Sequence, residues 1–169
     1  MNDTFFEESA RYLRDVYLPR LAAALETLPA EDVWWRPHPE TISFGTILSH
    51  LEGNVRQWVL SGLGGQPDER DRASEFSAEV GPDGLTLLAR LEATVEQACG
   101  VLAGLREQDL ERSFTIQGFE TTGRSAVYHV VEHFSWHTGQ ATWIAKARAG
   151  AGHGLAFYDE ARINAARNE

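Results

Sequence analysis

Apolar residues recur every three or four positions through most of the chain, which is the spacing of amphipathic helices. Four such stretches predict helices over roughly residues 4–28, 43–62, 83–106 and 125–149. Ser43 and Ser125 are predicted to cap the second and fourth helices, because a serine hydroxyl accepts a hydrogen bond from a free backbone N–H at a helix start. The four apolar stripes together need one common core.

The connections between these helices differ in character. The first contains Trp34, Trp35 and several prolines, so we expect an ordered loop whose tryptophans pack on the helices. The second, residues 66–82, is polar and charged and is predicted to be a long surface connection. Residues 115–121 alternate weakly around Gly118, which suggests a small hairpin or an extended turn. A short polar helix is expected after Leu155.

Long helices with little strand signal predict an all-α protein. The compact arrangement that buries four apolar stripes is an up-and-down four-helix bundle, here with long loops between its helices. With 169 residues, 43% of them hydrophobic, the chain has the size of one domain. We therefore expect residues 1–169 to form a single bundle domain.

Composition narrows the range of partners. The formal net charge is −10 and the pI is near 5.0, which argues against binding nucleic acid or an anionic membrane. The acidic N-terminus lacks the features of a signal peptide, and no apolar run approaches the ~20 residues of a membrane span. We expect a cytoplasmic protein. Cys99 is the single cysteine, so it has no disulfide partner within the chain, and its apolar setting predicts a buried structural thiol.

Candidate chemistry is concentrated in the fourth helix, where His129, His133 and His137 are four residues apart. Four residues is about one helical turn, so the three imidazoles share one face. The outer pair would be about 12 Å apart, which is too far for one ion. Two consecutive histidines can bind one metal ion if a third ligand comes from elsewhere.

The second helix offers His50 as that third ligand. It lies seven residues beyond Ser43, and in an up-and-down bundle the second and fourth helices would be parallel, which places His50 level with the histidine run. Three imidazoles would leave an open coordination position, as catalytic metals require. The number of residues from each helix start does not decide whether His129 or His137 binds the ion together with His133. A hydrogen-bonded or exposed histidine stripe is the alternative to a metal site.

Two segments resemble the DinB-like, or YfiT-like, family of small bacterial metal-binding four-helix bundles. They are Leu48-Ser49-His50-Leu51 and His133-Phe134-Ser135-Trp136-His137-Thr138-Gly139-Gln140. The resemblance implies that His50, His133 and His137 hold the metal and that His129 is a neighbour one turn away. It also implies a homodimer. Imidazole ligands favour a divalent transition metal such as zinc, nickel or iron.

Characterised relatives in that family include transferases and isomerases that use bacillithiol, mycothiol or glutathione. The resemblance therefore implies a metal-dependent transferase that activates a low-molecular-weight thiol for attack on a small-molecule substrate. Arg56 is the candidate for binding an anionic group of the thiol or substrate, although it lies about 120° around the helix from His50, where a surface or packing role is as well supported. A hydrolase using metal-bound water and a non-catalytic, stress-related metal-binding dimer are the alternatives.

Overall fold

The computed structural model describes residues 5–165, and most of that range is helical. Residues 1–4 and 166–169, including the first residue of the predicted first helix, lie outside it. The helices are α1 (Phe5–Arg11), α2 (Leu18–Thr27), α3 (Phe44–Val55), α4 (Arg72–Ser77), α5 (Gly84–Gly104), α6 (Gly123–Ala149) and α7 (Glu160–Ala165). A π-helical turn, Tyr12–Tyr17, joins α1 to α2, and a π-helical segment, Arg56–Leu63, extends α3. Short 3₁₀ turns occupy Ala30–Asp32 and Glu107–Leu110.

Side-chain caps define where the long helices begin. The Ser43 hydroxyl accepts from the Thr46 N–H at 3.0 Å, which confirms the predicted start of α3. The predicted cap of α6 is wrong by three residues, because Thr122 Oγ1 accepts from the Ser125 N–H at 3.2 Å and the helix begins at Gly123. Residue 125 therefore lies inside the first turn.

A small antiparallel hairpin precedes α6. Its strands are β1 (Ser113–Ile116) and β2 (Phe119–Thr122), with Ile116 paired to Phe119. The two turn residues, Gln117 and Gly118, have φ angles of 53° and 78°. Positive φ at both central residues is what a tight two-residue hairpin turn requires, and it explains the glycine. Of the two predictions for residues 115–121, a small hairpin or an extended turn, the structure confirms the hairpin.

Contacts between α3 and α6 give the relative direction of these two helices. The ring of His50 lies 4.9 Å from those of His133 and His137, whereas Trp58, two turns later, lies 4.2 Å from His129. Moving forward along the second helical stretch therefore means moving backward along α6. The prediction that these two helices are parallel is wrong.

The other long stretches complete the pattern of directions. The Tyr17 ring stacks on the Phe134 ring with their centroids 5.8 Å apart, and the Phe5 ring lies under the guanidinium of Arg124. The first stretch therefore runs in the same direction as α6. Trp34 contacts both Gly45, near the start of α3, and Gly81, just before α5, so these two helices begin close together.

At the far end of the second stretch, Gly64 contacts Val101 near the end of α5, so α3 and α5 run in the same direction. The predicted up-and-down order is therefore incorrect. The reason is loop length: residues 64–83 could extend about 60 Å, more than the ~30 Å length of a twenty-residue helix, and can return the chain to the end from which α3 began.

The core is formed by apolar side chains of all four long stretches. The largest fully buried ones include Leu13, Phe44, Leu51, Leu91 and Phe134. Cys99 is buried among them with its thiol 3.8 Å from the Ala10 carbonyl oxygen, which confirms the predicted buried thiol. None of the helices within residues 5–165 combines the length and hydropathy that crossing a bilayer requires.

Candidate metal centre

Three histidines from two helices converge at one point. His50 lies on the second turn of α3 and is buried, with 5% of its surface exposed, while His133 and His137 are half-buried on successive turns of α6. The His133 Nε2 atom is 3.1 Å from His50 Nε2 and 3.2 Å from His137 Nε2. One nitrogen from each ring lies within 4.8 Å of the other two.

Two of these three separations are close to those of nitrogen ligands around one small cation. A tetrahedral zinc with Zn–N bonds of about 2.0–2.1 Å places its nitrogen ligands about 3.3 Å apart. The two contacts at His133 are within a few tenths of an ångström of that value. All three nitrogens lie within 4.8 Å of one another, so the group could hold a divalent transition metal.

Hydrogen bonding alone cannot satisfy this cluster. A neutral imidazole carries one N–H and one lone pair, and each ring nitrogen has a single in-plane position. His133 Nε2 takes part in both short contacts, so at most one of them can be a normal hydrogen bond. A shared cation would satisfy all three nitrogens at once, which makes the donor set fit a metal.

The electrostatic surroundings favour neutral rings. Burial, reinforced by the neighbouring His137 and His50, lowers the pKa of His133 to about 3. Burial and His50 likewise lower the pKa of His137 to about 4. Both rings are therefore unprotonated near pH 7, when their lone pairs are available to a metal.

His129 does not join the group. Its ring lies against Trp58, and its centroid is 5.4 Å from that of His133. Burial lowers its pKa as well. The structure therefore brings His133 and His137, rather than His129, together with His50, and His129 packs one turn away.

Two charged side chains stand behind His50. Glu75 Oε2 lies 2.9 Å from His50 Nδ1, and Arg70 donates to both carboxylate oxygens of Glu75 at 2.7 and 2.8 Å. The Arg70 and Glu75 side chains are only 3% and 9% exposed. Burial acts to raise the pKa of Glu75, but the hydrogen bonds from Arg70 and His50 outweigh it and hold the pKa below its usual value. Glu75 is therefore a carboxylate in a buried ion pair.

The helix carrying His50 is shaped to receive this ion pair. Gly53 is one turn after His50, and a Cβ atom there would overlap Glu75 Oε1 and lie 2.9 Å from Arg70 Nε. Arg70 also donates to Gln57 Oε1 at 2.9 Å, and Gln57 in turn donates to Asp68. The ion pair is thus held from both the helix and the connection.

Sequence reasoning missed Arg70 and Glu75. Both belong to the stretch predicted as a surface connection, and most of that stretch is indeed exposed. Part of it folds as α4, which contacts α3 and brings Glu75 to His50. The charge run around Arg70 contains nothing that separates a buried arginine from its solvated neighbours, so no local pattern could have identified it.

The remaining candidates lie away from the imidazoles. Arg56 is exposed and lines a cavity of about 310 Å³ whose wall also includes Arg70 and Glu75. Its predicted role in binding an anionic group stays a prediction. His38 is exposed in the first loop, and His153 Nδ1 accepts from the Leu155 N–H at 2.9 Å.

Comparison with known protein families matches residues 4–153 to the family described as "Protein of unknown function (DUF1572)". The matched range includes the three converging histidines and the ion pair behind His50. No curated protein matches the chain significantly.

Proposed function

The chain belongs to the DUF1572 family, whose description leaves its function open, and from that premise we propose a metal-dependent transferase that activates a low-molecular-weight thiol. The observation that carries the proposal is the convergence of His50, His133 and His137 on one point. The resemblance of these two histidine segments to DinB-like proteins supports the reaction class.

In this proposal His50, His133 and His137 hold a divalent ion, with zinc, nickel or iron as candidates. The bound cation supplies positive charge that favours the thiolate form of a thiol beside it. The chain itself provides three neutral ligands, so they cancel none of the charge of the cation. Burial of the cluster keeps competing protons off His133 and His137 near pH 7.

The fold supports this proposal at the level of architecture. We propose that the four long helical stretches form a four-helix bundle of DinB-like kind. In support, each of the first two stretches contacts both α5 and α6. In such a bundle the ligands project inward from facing helices, as α3 and α6 do at the histidine cluster.

Arg56 is proposed to bind an anionic group of the thiol or substrate at the edge of the cavity that adjoins Glu75.

We further propose a cytoplasmic homodimer. Its support is an exposed aromatic face on α6, made by Tyr128, Trp136 and Trp143. Light scattering at micromolar concentration should give the mass of a dimer, and a monomer would contradict this part of the proposal.

The test of the reaction is thiol conjugation. Protein purified without a His-tag and loaded with Zn²⁺, Ni²⁺ or Fe²⁺ is assayed for consumption of bacillithiol, mycothiol or glutathione with a model electrophile. We expect turnover in the wild type, and a loss of about a hundredfold or more in His137→Ala, which removes one ligand. His38→Ala is the matched control and should keep wild-type activity. Stoichiometric metal without thiol consumption for any of the three thiols would contradict the transferase.

A further inference from the structure

The orientation of the His50 ring follows from the groups around its Nδ1 atom. Glu75 Oε2 is 2.9 Å from Nδ1, and the Arg70 guanidinium is 3.1 Å from it. Nδ1 has one in-plane position and can bond only one of them. Three of the five N–H groups of Arg70 donate to the two oxygens of Glu75 and to Gln57 Oε1, and a further N–H of Nη2 can donate to Nδ1, so Arg70 and Glu75 favour opposite tautomers of the ring.

The carboxylate decides which group Nδ1 bonds. If Nδ1 carried a lone pair, that lone pair would face a carboxylate oxygen at 2.9 Å, and two electron-rich atoms would repel each other. If Nδ1 carries the proton, it donates a charge-assisted hydrogen bond to Glu75. A neutral ring with its proton on Nδ1 has a free lone pair on Nε2, which is the atom that faces His133.

We propose that Glu75, held in place by Arg70, is a positioning residue that fixes His50 in the tautomer able to bind metal. This inference rests on the proposed metal centre. The charges of Glu75 and Arg70 cancel, so their effect on a metal comes from ring orientation and proton position rather than from added negative charge.

His50 differs in this respect from the other two ligands. Among the residues that the structure describes, the buried Nδ1 atoms of His133 and His137 have no hydrogen-bond partner. Loss of the Glu75 contact would therefore remove the carboxylate that orients the His50 ring.

The wild-type protein provides the first measurement. In ¹⁵N-labelled, metal-free protein, long-range ¹H–¹⁵N correlation distinguishes protonated from unprotonated ring nitrogens. We expect His50, assigned by comparison with His50→Gln, to carry its proton on Nδ1. A proton on Nε2 in the wild type would overturn the inference, and this result does not depend on whether any variant folds.

The second measurement is Zn²⁺ affinity, by competition with a chromophoric chelator. Glu75→Gln keeps the shape of the side chain but allows an amide N–H to face Nδ1, so we expect Zn²⁺ to bind about 10- to 100-fold more weakly. Glu69→Gln makes the same change at an exposed site in the same connection and should match the wild type. Equal affinity in the Glu75 and Glu69 variants would overturn the inference.

These outcomes separate the inference from the proposed function. Failure of the wild type to bind Zn²⁺, Ni²⁺ or Fe²⁺ would contradict the metal centre and the positioning role together. Metal binding by the wild type that survives Glu75→Gln unchanged would contradict only the role of Glu75.

Discussion

At the scale of single residues, the site depends on imidazoles that are close together yet uncharged. Four-residue spacing within one helix encodes the closeness of His133 and His137 directly, because it is set by local geometry. Burial then lowers the pKa of both rings, and the neighbouring His50 lowers both further. The same physics gives the metal-free protein a characteristic response to acid.

Acid should destabilise the metal-free protein. In the unfolded chain these histidines titrate near pH 6.5, whereas in the folded protein the pKa values of His133 and His137 fall to about 3 and 4. Between these limits the unfolded chain binds more protons, so stability is fully present above about pH 6.5 and is lost as the pH falls toward 4. Denaturant unfolding in the presence of a chelator measures this dependence.

A variant that cannot titrate at these positions is the control. His133→Gln/His137→Gln should show a shallower loss of stability between pH 6.5 and 4 than the wild type. An identical pH dependence in both proteins would mean that the two histidines are not kept neutral by the fold.

The proposed third ligand, His50, shows how far sequence reasoning at this scale could go. His50 was identified by assuming parallel helices and comparing depths, yet α3 and α6 run in opposite directions. The structure still brings His50 to the α6 pair although the premise was wrong, because all three residues lie in the middle part of their helices, where reversing one helix moves them little. Periodicity indicates which face of a helix a side chain lies on and how far along the helix it lies. It does not indicate the direction in which that helix runs.

At the scale of elements, the histidine cluster depends on the fit between α3 and the connection that contains α4. That fit could not be predicted from the sequence, because Arg70 and Glu75 contact His50 from a distant part of the chain and no local sequence pattern indicates such contacts. The helix shows one sign of it, a glycine within its interior at position 53. Glycine normally weakens a helix, and here it leaves the space that the Glu75 carboxylate occupies.

Substitution of this glycine should therefore have two opposite effects. Gly53→Ala favours the helix by up to about 1 kcal/mol, but the new Cβ displaces Glu75 Oε1. Because that atom is the free end of a flexible side chain, the carboxylate should move and lose its bond to His50. We expect Zn²⁺ affinity to fall about tenfold or more, while stability of the metal-free protein changes by less than in a simple glycine-to-alanine replacement.

Gly100 on α5 offers that simple replacement, because nothing lies within 4 Å of a Cβ placed there. Gly100→Ala should stabilise the protein by about 0.5–1 kcal/mol and leave Zn²⁺ affinity unchanged. Denaturant unfolding and chelator competition measure both quantities. Unchanged affinity in Gly53→Ala would show that the space beside α3 does not matter to the site.

At the scale of the whole molecule, the helix content and the four long stretches could be predicted from hydrophobic spacing, and their directions could not. The direction of each helix depends on the end of the molecule to which the preceding connection leads. Residues 64–83 are long enough to allow α5 to run either parallel or antiparallel to α3. The structure sets the first stretch and α6 in one direction and α3 and α5 in the other. This arrangement places the buried middle of α3 against that of α6, where the three imidazoles meet.

The central claim, a three-histidine metal centre, is tested most directly by measuring bound metal. Untagged protein, stripped with chelator and titrated with Zn²⁺ in a calorimeter, should bind one ion per chain. His50→Ala and His133→Ala should each abolish stoichiometric binding, while His129→Ala should retain it, because His129 packs on Trp58 outside the cluster. No binding by the wild type, or one ion per chain still bound by His50→Ala/His133→Ala, would contradict the account.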